Sequence, residues 1–402
     1  MKDKTIVITG MGAVTSLDKG KGVDVFWQRL CQGDNGLSFI RSIDVNGFEC
    51  QIGGEIHGFE GRLNGMVPDT CSRAVKLFAL AVEQAKEDAG IVENVGKVGI
   101  CCGSVLGCID HETRYFEKAF FGEKKKDCHL LKGTSVQVIP SFAAEMFDFK
   151  GPNFSVNTAC SSASDAVILS ANEIRNGRAD IMFAGGVEIF SEFLFRGFSA
   201  IGALTKDGKV RPFDKNRTGL AVSEGAGVLV LEEKEHALAR NAEVYCTLAG
   251  GSSTVDAYNL VRPHVEGQGL SKAITKAMNN AGVQPQDIDY IFAHGTGTYH
   301  NDLAETKAIK RAFGKQAKSV KITAIKSMIG HTMGASAVLG AIGCVMAIKD
   351  NIIPPTINYK TPDAECDLNY VTGGFCTKKV NMGMVLAAGF GGQNSTLIFK
   401  AK

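Results

Sequence analysis

The sequence predicts an α/β fold, in which a sheet is covered by helices on both of its faces. Apolar runs bounded by glycine recur along the chain, and such runs are typical of strands buried on both sides. Segments with the apolar spacing of a helix lie between several of these runs, which is the alternation expected of the α/β class. The predicted strands lie at 4–10, 97–103, 181–186, 227–233, 244–251, 290–295, 320–327, 384–390 and 395–401, and the predicted helices at 72–90, 270–282 and 301–313.

The order of these elements indicates an internal repeat. Both halves of the chain open with a similar strand, and in each half a short turn with a reactive residue leads into a helix rich in alanine and glycine. The matching segments are 4–14 with 244–254, 98–104 with 290–296, 157–174 with 324–343, and 227–233 with 395–401. We therefore expect two copies of one α/β unit, divided into residues 1–243 and 244–402, with their small-residue helices packed back to back.

Length, charge and hydropathy describe an ordinary globular protein. A chain of 402 residues is long enough for two units that each have a core. The formal net charge of +2 differs from that of basic nucleic-acid-binding domains, so no nucleic acid is expected. The apolar run at the N-terminus is too short for a signal peptide, and the longest run, 335–348, is interrupted by two glycines and indicates a buried helix. A cytoplasmic protein without a membrane span is predicted.

The twelve cysteines and eight histidines do not form a recognisable metal motif. No pair of cysteines has the CxxC spacing of zinc sites, and there is no HExxH. The glycine-rich stretch that begins at Gly10 has Thr15 where a dinucleotide fingerprint needs its third small residue. We therefore predict no metal and no cofactor, and we expect most of the cysteines to be reduced and buried.

One cysteine lies in a setting that suits chemistry. Cys160 is part of NTACSSASDA (157–166), where small neighbours leave room for a substrate and a helix-forming segment follows. A thiol at a helix N-terminus feels the positive end of the helix dipole, which lowers its pKa, and the free N–H groups there are able to stabilise an oxyanion. Taken alone, the stretch fits a tightly packed core cysteine as well as it fits a nucleophile.

Two histidines lie in comparable settings. His294 follows a buried strand and precedes a Gly-Thr-Gly-Thr turn, while His331 precedes the small-residue helix of the second half, with Lys326 five residues before it. A lone histidine at such a place is more often structural. One cysteine and two histidines at three strand-to-helix turns together favour nucleophilic acyl transfer, in which the cysteine attacks a thioester and the imidazoles handle protons and developing negative charge.

These three segments resemble the active-site motifs of the β-ketoacyl-acyl-carrier-protein synthases, most nearly those of the elongating type II branch. The motifs are VNTACSSA around Cys160, HGTGT around His294 and KSMIGHTMGASA around His331, and the likeness extends from VITGMG near the N-terminus through 211–232 to GFGGQNSTLIF (389–399). The resemblance implies a thiolase-like fold, a duplicated five-layer α-β-α-β-α arrangement with mixed sheets, which would also account for the repeat.

The resemblance also implies a reaction, the decarboxylative Claisen condensation of fatty acid or type II polyketide and polyene elongation. Cys160 would accept the acyl chain from a carrier-protein thioester. His294 and His331 would donate hydrogen bonds to the malonyl thioester oxygen as enolate charge develops. The backbone N–H groups of Cys160 and Phe390 would form the oxyanion hole, and Phe390 would gate the site between flexible glycines.

Supporting roles follow from the same resemblance. Lys326 corresponds to a lysine that the family pairs with acidic residues after the HGTxT motif, here Asp302 and Glu305, and we expect it to act through structure and charge rather than proton transfer. The residues expected to bind substrate are Thr296, Thr298 and Gly391.

Three segments depart from the family pattern. They are LAAGFGG (386–392), YHND (299–302) and the pair Val261-Arg262, which replaces two small polar residues. All three fall near the expected acyl and malonyl entrances. Chain length, saturation and the choice between fatty acid and polyketide pathways therefore stay open.

The implied partners are acyl-carrier and malonyl-carrier proteins, together with a second subunit in a homodimer or in a heterodimer with a ketosynthase-like chain. Carrier proteins are acidic, so a basic patch is expected near the site entrance, and its candidates are Arg73, Lys76, Lys124, Lys125 and Lys126. The main alternative is a noncatalytic, chain-length-determining subunit of a heterodimer, although such subunits normally lack the nucleophile that Cys160 supplies.

Overall fold

The computed structural model describes residues 4–63, 65–92, 95–121 and 129–402. The strands are β1 (Ile6–Thr15), β2 (Ser38–Phe39), β3 (Ile52–Gly53), β4 (Val98–Gly103), β5 (Asn153–Val156), β6 (Ile181–Glu188), β7 (Gly225–Glu233), β8 (Cys246–Val255), β9 (Tyr290–Phe292), β10 (Lys321–Thr323), β11 (Ile352–Ile353), β12 (Cys376–Thr377), β13 (Met382–Gly389) and β14 (Gln393–Lys400). The α-helices are α1 (Val23–Gln32), α2 (Arg73–Asp88), α3 (Ile109–Phe121), α4 (His129–Lys132), α5 (Val138–Met146), α6 (Ser162–Arg175), α7 (Glu192–Ala200), α8 (Lys234–Ala239), α9 (Gln268–Ala281), α10 (Tyr299–Phe313), α11 (Lys326–Ile329) and α12 (Ser336–Asp350).

Ten of these strands form one mixed sheet with the order β10-β9-β13-β14-β8-β1-β7-β6-β4-β5. Each half of the sheet has the same topology. Counted along its own half, the strand order is 3-2-4-5-1, with two parallel pairings followed by two antiparallel ones. The halves join where β1 pairs with β8 over only two residue pairs, Val7 with Thr247 and Ile8 with Cys246. The duplication predicted from the sequence is therefore confirmed.

Helices lie in three layers around the two halves of the sheet. Helices α2 and α5 pack on the outer face of the first half, and α9 and α10 on the outer face of the second. Helices α6 and α12 pack against each other and against strands of both halves, so they form the central layer. Each layer has its own apolar cluster, which gives the predicted α-β-α-β-α arrangement.

The central layer depends on small side chains. In α6 the buried positions include Ala163, Ala166 and Ala171, and in α12 the residues from Ser336 to Ile348 are all buried. Within the described ranges, Met333–Asp350 is the one stretch long and apolar enough to cross a membrane, but 89% of it is buried inside the protein. That burial identifies it as a core helix, as the interrupted apolar run predicted.

Two local expectations needed correction. The run 320–327 was expected to be strand throughout, but β10 ends at Thr323 and the chain turns into α11 at Lys326. The edge strand β5 has no counterpart among the predicted strands, because its four residues are half-buried or exposed and lack a continuous apolar run. Both differences lie beside the site described next.

Candidate active site

Cys160 lies on the turn that connects β5 to α6. Its side chain is largely buried, and the residue before it, Ala159, has a φ of 54°, a left-handed conformation that non-glycine residues rarely adopt. Ser162 stabilises the turn, since its Oγ donates to the Ala159 carbonyl over 2.6 Å and accepts the N–H of Thr158 over 3.0 Å. The turn therefore holds the cysteine in one orientation at the start of the central layer.

The three reactive side chains predicted from the sequence line one cavity of about 520 Å³. Cys160, His294 and His331 are 8%, 3% and 2% exposed, so they lie at its buried end. Thr296, Thr298 and Phe390 also line the cavity. Gly391 does not line it; its N–H instead donates to the Leu260 carbonyl over 2.6 Å.

Two backbone N–H groups, those of Phe390 and of Cys160 itself, lie close enough to the Cys160 sulfur to lower the pKa of its thiol. The approach depends on Gly389, because a Cβ there would lie 3.0 Å from the Cys160 nitrogen and 3.1 Å from the Ala159 Cβ. Glycine thus allows the loop after β13 to pass against the nucleophile turn. The pair of N–H groups is suited to stabilise the oxyanion of a carbonyl group whose carbon becomes bonded to the sulfur.

The pKa of Cys160 differs from the sequence expectation. Burial raises the pKa of this thiol to about 11, and the nearby Lys326 cation and the two N–H groups offset only part of that rise. The expected lowering by the helix dipole is therefore outweighed by desolvation. The resting site holds a thiol that must lose its proton as it attacks.

His331 is fixed in one tautomer by its own turn. Its backbone N–H donates to the Ala221 carbonyl over 2.8 Å, and its carbonyl accepts the N–H of Ser223 over 3.0 Å. The Nδ1 atom accepts the N–H of Met333 at 3.2 Å and lies 2.9 Å from the Ser336 Oγ. Because Nδ1 is an acceptor, the ring proton resides on Nε2, which makes Nε2 a hydrogen-bond donor.

His294 lies beside His331, with ring centroids 5.3 Å apart and ring planes at 81°. The Nζ of Lys326 donates to the His294 carbonyl over 2.6 Å and lies 3.4 Å from Nδ1. Burial lowers the pKa of both histidines well below the usual value, and the Lys326 cation lowers each further. Both imidazoles are therefore neutral at pH 7.

Lys326 is buried, and burial lowers its pKa to about 8 although the charges of Glu305, Cys160 and Asp302 favour its cation. Direct ion pairing with the two predicted acids is not observed: within the described part of the chain, no carboxylate lies within 4.0 Å of Nζ. Glu305 instead accepts the N–H groups of His294 and Gly295 over 2.6 and 2.8 Å. Glu305 therefore holds the turn that carries His294, and its charge favours the Lys326 cation.

Asp302 has a different neighbour. Its carboxylate accepts the N–H of Phe213 over 2.7 Å and that of Gly297 over 3.2 Å, and it lies 3.9 Å from the Nε of Arg217. Arg217 in turn pairs with Asp363 over 2.5 Å. Asp302 therefore holds the Gly-Thr-Gly-Thr turn through the N–H of Gly297 and does not pair with Lys326.

Glu188 is a site residue that the sequence reasoning missed. It lies at the end of β6, is fully buried, and accepts the N–H groups of Val105, Leu106 and Gly334 over 2.8, 3.1 and 3.1 Å. Burial raises its pKa to about 7, and its charge raises the pKa of Cys160. An acid at the end of an otherwise apolar strand, as in IMFAGGVE, was the signal available in the sequence.

The expected gate lies at the cavity wall. The Phe390 ring is 40% exposed and packs on Phe198 of α7 with a centroid distance of 5.5 Å. The loop that carries it is tied to the segment after β8, because the Asp256 N–H donates to the Gly392 carbonyl over 2.8 Å. The Phe390 ring thus contacts Phe198 and is partly exposed, and the loop that carries it is held by a backbone hydrogen bond.

The cations expected to bind the carrier protein differ in how far their charges are already paired within the chain. Arg73 is not presented as a free charge: its guanidinium donates to Glu224 in a bidentate pair of 2.7 Å bonds and lies 3.3 Å from Glu60. Lys76 donates to the Asp69 carbonyl over 3.0 Å. The candidates Lys124, Lys125 and Lys126 lie outside the described residues.

Comparisons with known proteins agree with this geometry. The family model described as "Beta-ketoacyl synthase, N-terminal domain" matches residues 3–237, and the corresponding C-terminal domain matches 245–360. The chain is 35% identical to 3-oxoacyl-[acyl-carrier-protein] synthase 2 of Synechocystis sp. and 36% identical to that of Coxiella burnetii, over at least 99% of each chain.

Solved structures agree as well. The ishigamide ketosynthase/chain length factor superposes with a TM-score of 0.94 at 34% identity, over the whole of both chains. A type II polyketide ketosynthase, solved with its acyl-carrier protein and bound to a hexaketide, superposes with a TM-score of 0.91 at 27% identity, again over the whole of both chains. With full-length relatives in sequence and structure and the cysteine and two histidines in one buried cavity, the chain belongs to the β-ketoacyl synthase family.

Proposed function

We propose that this chain condenses an acyl group held on Cys160 with a malonyl group held on a carrier protein, and releases carbon dioxide. The observation that carries the proposal is the cavity in which a buried thiol, two backbone N–H donors and two neutral imidazoles converge. Each group matches one requirement of thioester chemistry: a nucleophile, an oxyanion hole and donors for an enolate.

In the first half-reaction the Cys160 sulfur attacks the carbonyl carbon of an acyl-carrier thioester. The N–H groups of Phe390 and Cys160 stabilise the tetrahedral oxyanion. The new carbon–sulfur bond forms as the bond to the carrier's sulfur breaks, and the proton lost by Cys160 leaves with the carrier's thiol. The Lys326 cation favours the thiolate that this step requires.

In the second half-reaction the malonyl thioester loses carbon dioxide, and the electron pair of the broken carbon–carbon bond forms an enolate. The Nε2 protons of His294 and His331 donate to the thioester oxygen as its charge develops. The enolate carbon then attacks the acyl-cysteine carbonyl, and Cys160 leaves as the thiolate. Neutral imidazoles suit this task because their N–H groups form stronger hydrogen bonds to the thioester oxygen as that oxygen becomes negatively charged.

The wall of the cavity suits the arm of a carrier protein. The hydroxyls of Thr296 and Thr298 lie 2.8 Å apart on the turn after β9, and we assign them to hydrogen bonds with the amides of that arm. Phe390 admits or excludes the arm by turning on its glycine-flanked loop. We do not assign Gly391 to substrate binding, since its N–H already donates to the Leu260 carbonyl.

The partners proposed for this chain are acyl-carrier and malonyl-carrier proteins and a second ketosynthase-like subunit, identical or not. They are supported by the two structural relatives, one described with its acyl-carrier protein and one as a ketosynthase/chain length factor. A cytoplasmic location and a division of the chain at residues 243 and 244 remain proposals as well.

Mass spectrometry of the intact protein tests the function. After incubation with acyl-carrier proteins of several chain lengths, the wild type is expected to gain one acyl group and Cys160→Ala none. Cys376→Ala, a free cysteine away from the cavity, is the matched control and should be acylated like the wild type. A wild type that is never acylated would instead support the noncatalytic, chain-length-determining subunit.

A further inference from the structure

The cavity of Cys160 has a direction, from a buried end to an exposed mouth. The three reactive side chains are almost fully buried, Thr298 is half-buried, and the exposed residues of the lining include Arg262, Tyr299 and His300. A carrier-bound thioester that reaches the sulfur must therefore pass these exposed side chains. Whatever the carrier's arm carries at its outer end lies next to them.

Two arginines line the cavity, and they differ in how their charge is used. Arg217 is buried and pairs with Asp363 over 2.5 Å, with Asp302 3.9 Å away. Arg262 is exposed, and across residues 4–63, 65–92, 95–121 and 129–402 no carboxylate lies within 4.0 Å of its guanidinium. Its planar set of donors is thus unused at the mouth.

The acid of the same loop that lines the cavity is not paired with Arg262. Asp256 also lines the cavity, but its carboxylate accepts the N–H of His264 over 2.9 Å and the side-chain amide of Asn394 over 3.0 Å. Those two hydrogen bonds fix the position of the Asp256 carboxylate on the loop. Asp256 therefore forms no ion pair with Arg262, and the guanidinium donors stay available at the mouth.

The backbone of Arg262 is positioned in advance. Its N–H donates to the Oδ1 of Asn259 over 3.1 Å, and Pro263 restricts it to extended conformations. The same loop is bonded to the gate, since the Gly391 N–H donates to the Leu260 carbonyl over 2.6 Å. A long side chain on a fixed backbone loses less entropy when it binds an anion than one on a mobile loop.

A second segment adds donors at the same place. His300 lies in the first turn of α10, a 15-residue helix whose N-terminus faces the mouth, because residues 298–301 all line the cavity. A helix N-terminus and an imidazole N–H both favour an anion. Arg262 and His300 belong to two separate segments that depart from the family pattern, and the fold brings both to one mouth.

We propose that Arg262, with His300 and the first turn of α10, binds the phosphate group of the carrier protein's phosphopantetheine arm. The inference rests on the proposed function, because the phosphate arrives only with a carrier-protein substrate. An arginine suits a phosphate ester because its fork donates two parallel hydrogen bonds to two oxygens. Holding the charged end of the arm at the mouth keeps the thioester at the sulfur.

Two acyl donors that differ only in this phosphate test the proposal. Acyl-4′-phosphopantetheine and acyl-pantetheine with the same acyl chain are compared by the rate of Cys160 acylation, followed as the mass of the intact protein. We expect the wild type to favour the phosphorylated donor about fivefold in kcat/KM, a modest factor because the subsite is exposed. The ratio of the two kcat/KM values should fall close to one in Arg262→Gln. In Arg262→Lys it should lie between one and the wild-type value, because lysine keeps the charge but lacks the planar pair of donors.

The control is Lys272→Gln, which removes an exposed cation from α9 and should keep the wild-type ratio. Equal kcat/KM for the two donors in the wild type, or a preference that survives in Arg262→Gln, would overturn the assignment. If Arg262→Gln slows only the reaction with whole carrier protein, the arginine contacts the carrier's surface and the phosphate assignment is wrong. If neither donor acylates Cys160 in the wild type, the proposed function itself fails and this inference with it.

Discussion

The two halves of the molecule share one topology but carry different reactive side chains. The turn between the third strand and the central helix of each half reaches the same cavity, and it carries Cys160 in the first half and His331 in the second. In the proposed reaction the first turn supplies the nucleophile and the second a hydrogen-bond donor. Duplication of the fold therefore gave two equivalent positions, and the side chain at each decides its role.

The two turns also use similar devices. Each contains a non-glycine residue with positive φ within two residues of its reactive residue, Ala159 at 54° and Met333 at 40°. Glu188 acts on both turns in different ways: it accepts the N–H of Gly334, three residues after His331, and its charge raises the pKa of Cys160. One buried carboxylate thus holds the turn of the donor and acts on the nucleophile through its charge.

The largest effect should come from the donors of the second half. We expect His294→Ala and His331→Ala each to lower condensation by about 10²- to 10³-fold, because loss of one preorganised oxyanion donor typically has that effect. Acylation of Cys160 should fall much less, since its oxyanion hole belongs to Phe390 and Cys160. Product formation with malonyl-carrier protein, measured beside the mass of the acyl-enzyme, separates the two steps.

The control for this prediction is His331→Gln, whose amide keeps an N–H donor and should retain more condensation than the alanine variant. If acylation and condensation fall by the same factor in the alanine variants, the division of labour between the halves is wrong. A general loss of folding would show as a lower Tm and is measured on the same preparations.

A smaller effect is expected from the packing of the central helices. Gly343 is the eighth residue of α12, and a Cβ there would lie 2.6 Å from the nearest ring carbon of Phe292, which is itself buried. We expect Gly343→Ala to lower the free energy of unfolding by about 1–3 kcal/mol, the usual cost of overpacking a core. Urea denaturation measures it.

The matched position in the first half is Leu169, the eighth residue of α6, which is 42% exposed. Leu169→Ala should change the free energy of unfolding by less than about 0.5 kcal/mol. Equal destabilisation by the two variants would mean that the two central helices are equally constrained, contrary to their different burial.

Much of this organisation could be predicted from the sequence. Apolar runs between glycines located nine strands, and all of them are present, because strands buried on both faces need continuous apolar side chains. The repeat pairs match the order of the two halves of the sheet. Cys160, His294 and His331 were found because reactive side chains are conspicuous among small residues.

What the sequence could not supply depends on contacts between distant segments. Arg73 looked like a surface cation, but its partner Glu224 lies 151 residues away along the chain. The pKa of Cys160 rises because the folded chain removes water from the thiol, and no local pattern measures that desolvation. Glu188 was overlooked for the same reason, since its partners come from two other loops.

The subtlest test concerns Lys326, which acts on both halves through its charge. In Lys326→Met the pKa of His294 and His331 should rise, because the cation that lowers them is gone, although burial still keeps them below the usual value. Neutral imidazoles are the active donors, so the rate of malonyl decarboxylation should begin to fall at a higher pH as the solution is acidified. The pKa of Cys160 should rise as well, which slows its alkylation at pH 8.

Nuclear magnetic resonance of histidine-labelled protein and the pH profile of decarboxylation check these shifts. The wild-type lysine has a pKa of about 8, so its effect on the histidines is complete below that pH and is lost above it. Lys307→Met, which removes a half-buried cation of α10 that pairs with Glu266, should leave both profiles in place. Histidine titrations that stay unchanged in Lys326→Met would show that burial alone keeps the donors neutral, and the lysine would then serve only to hold the His294 carbonyl.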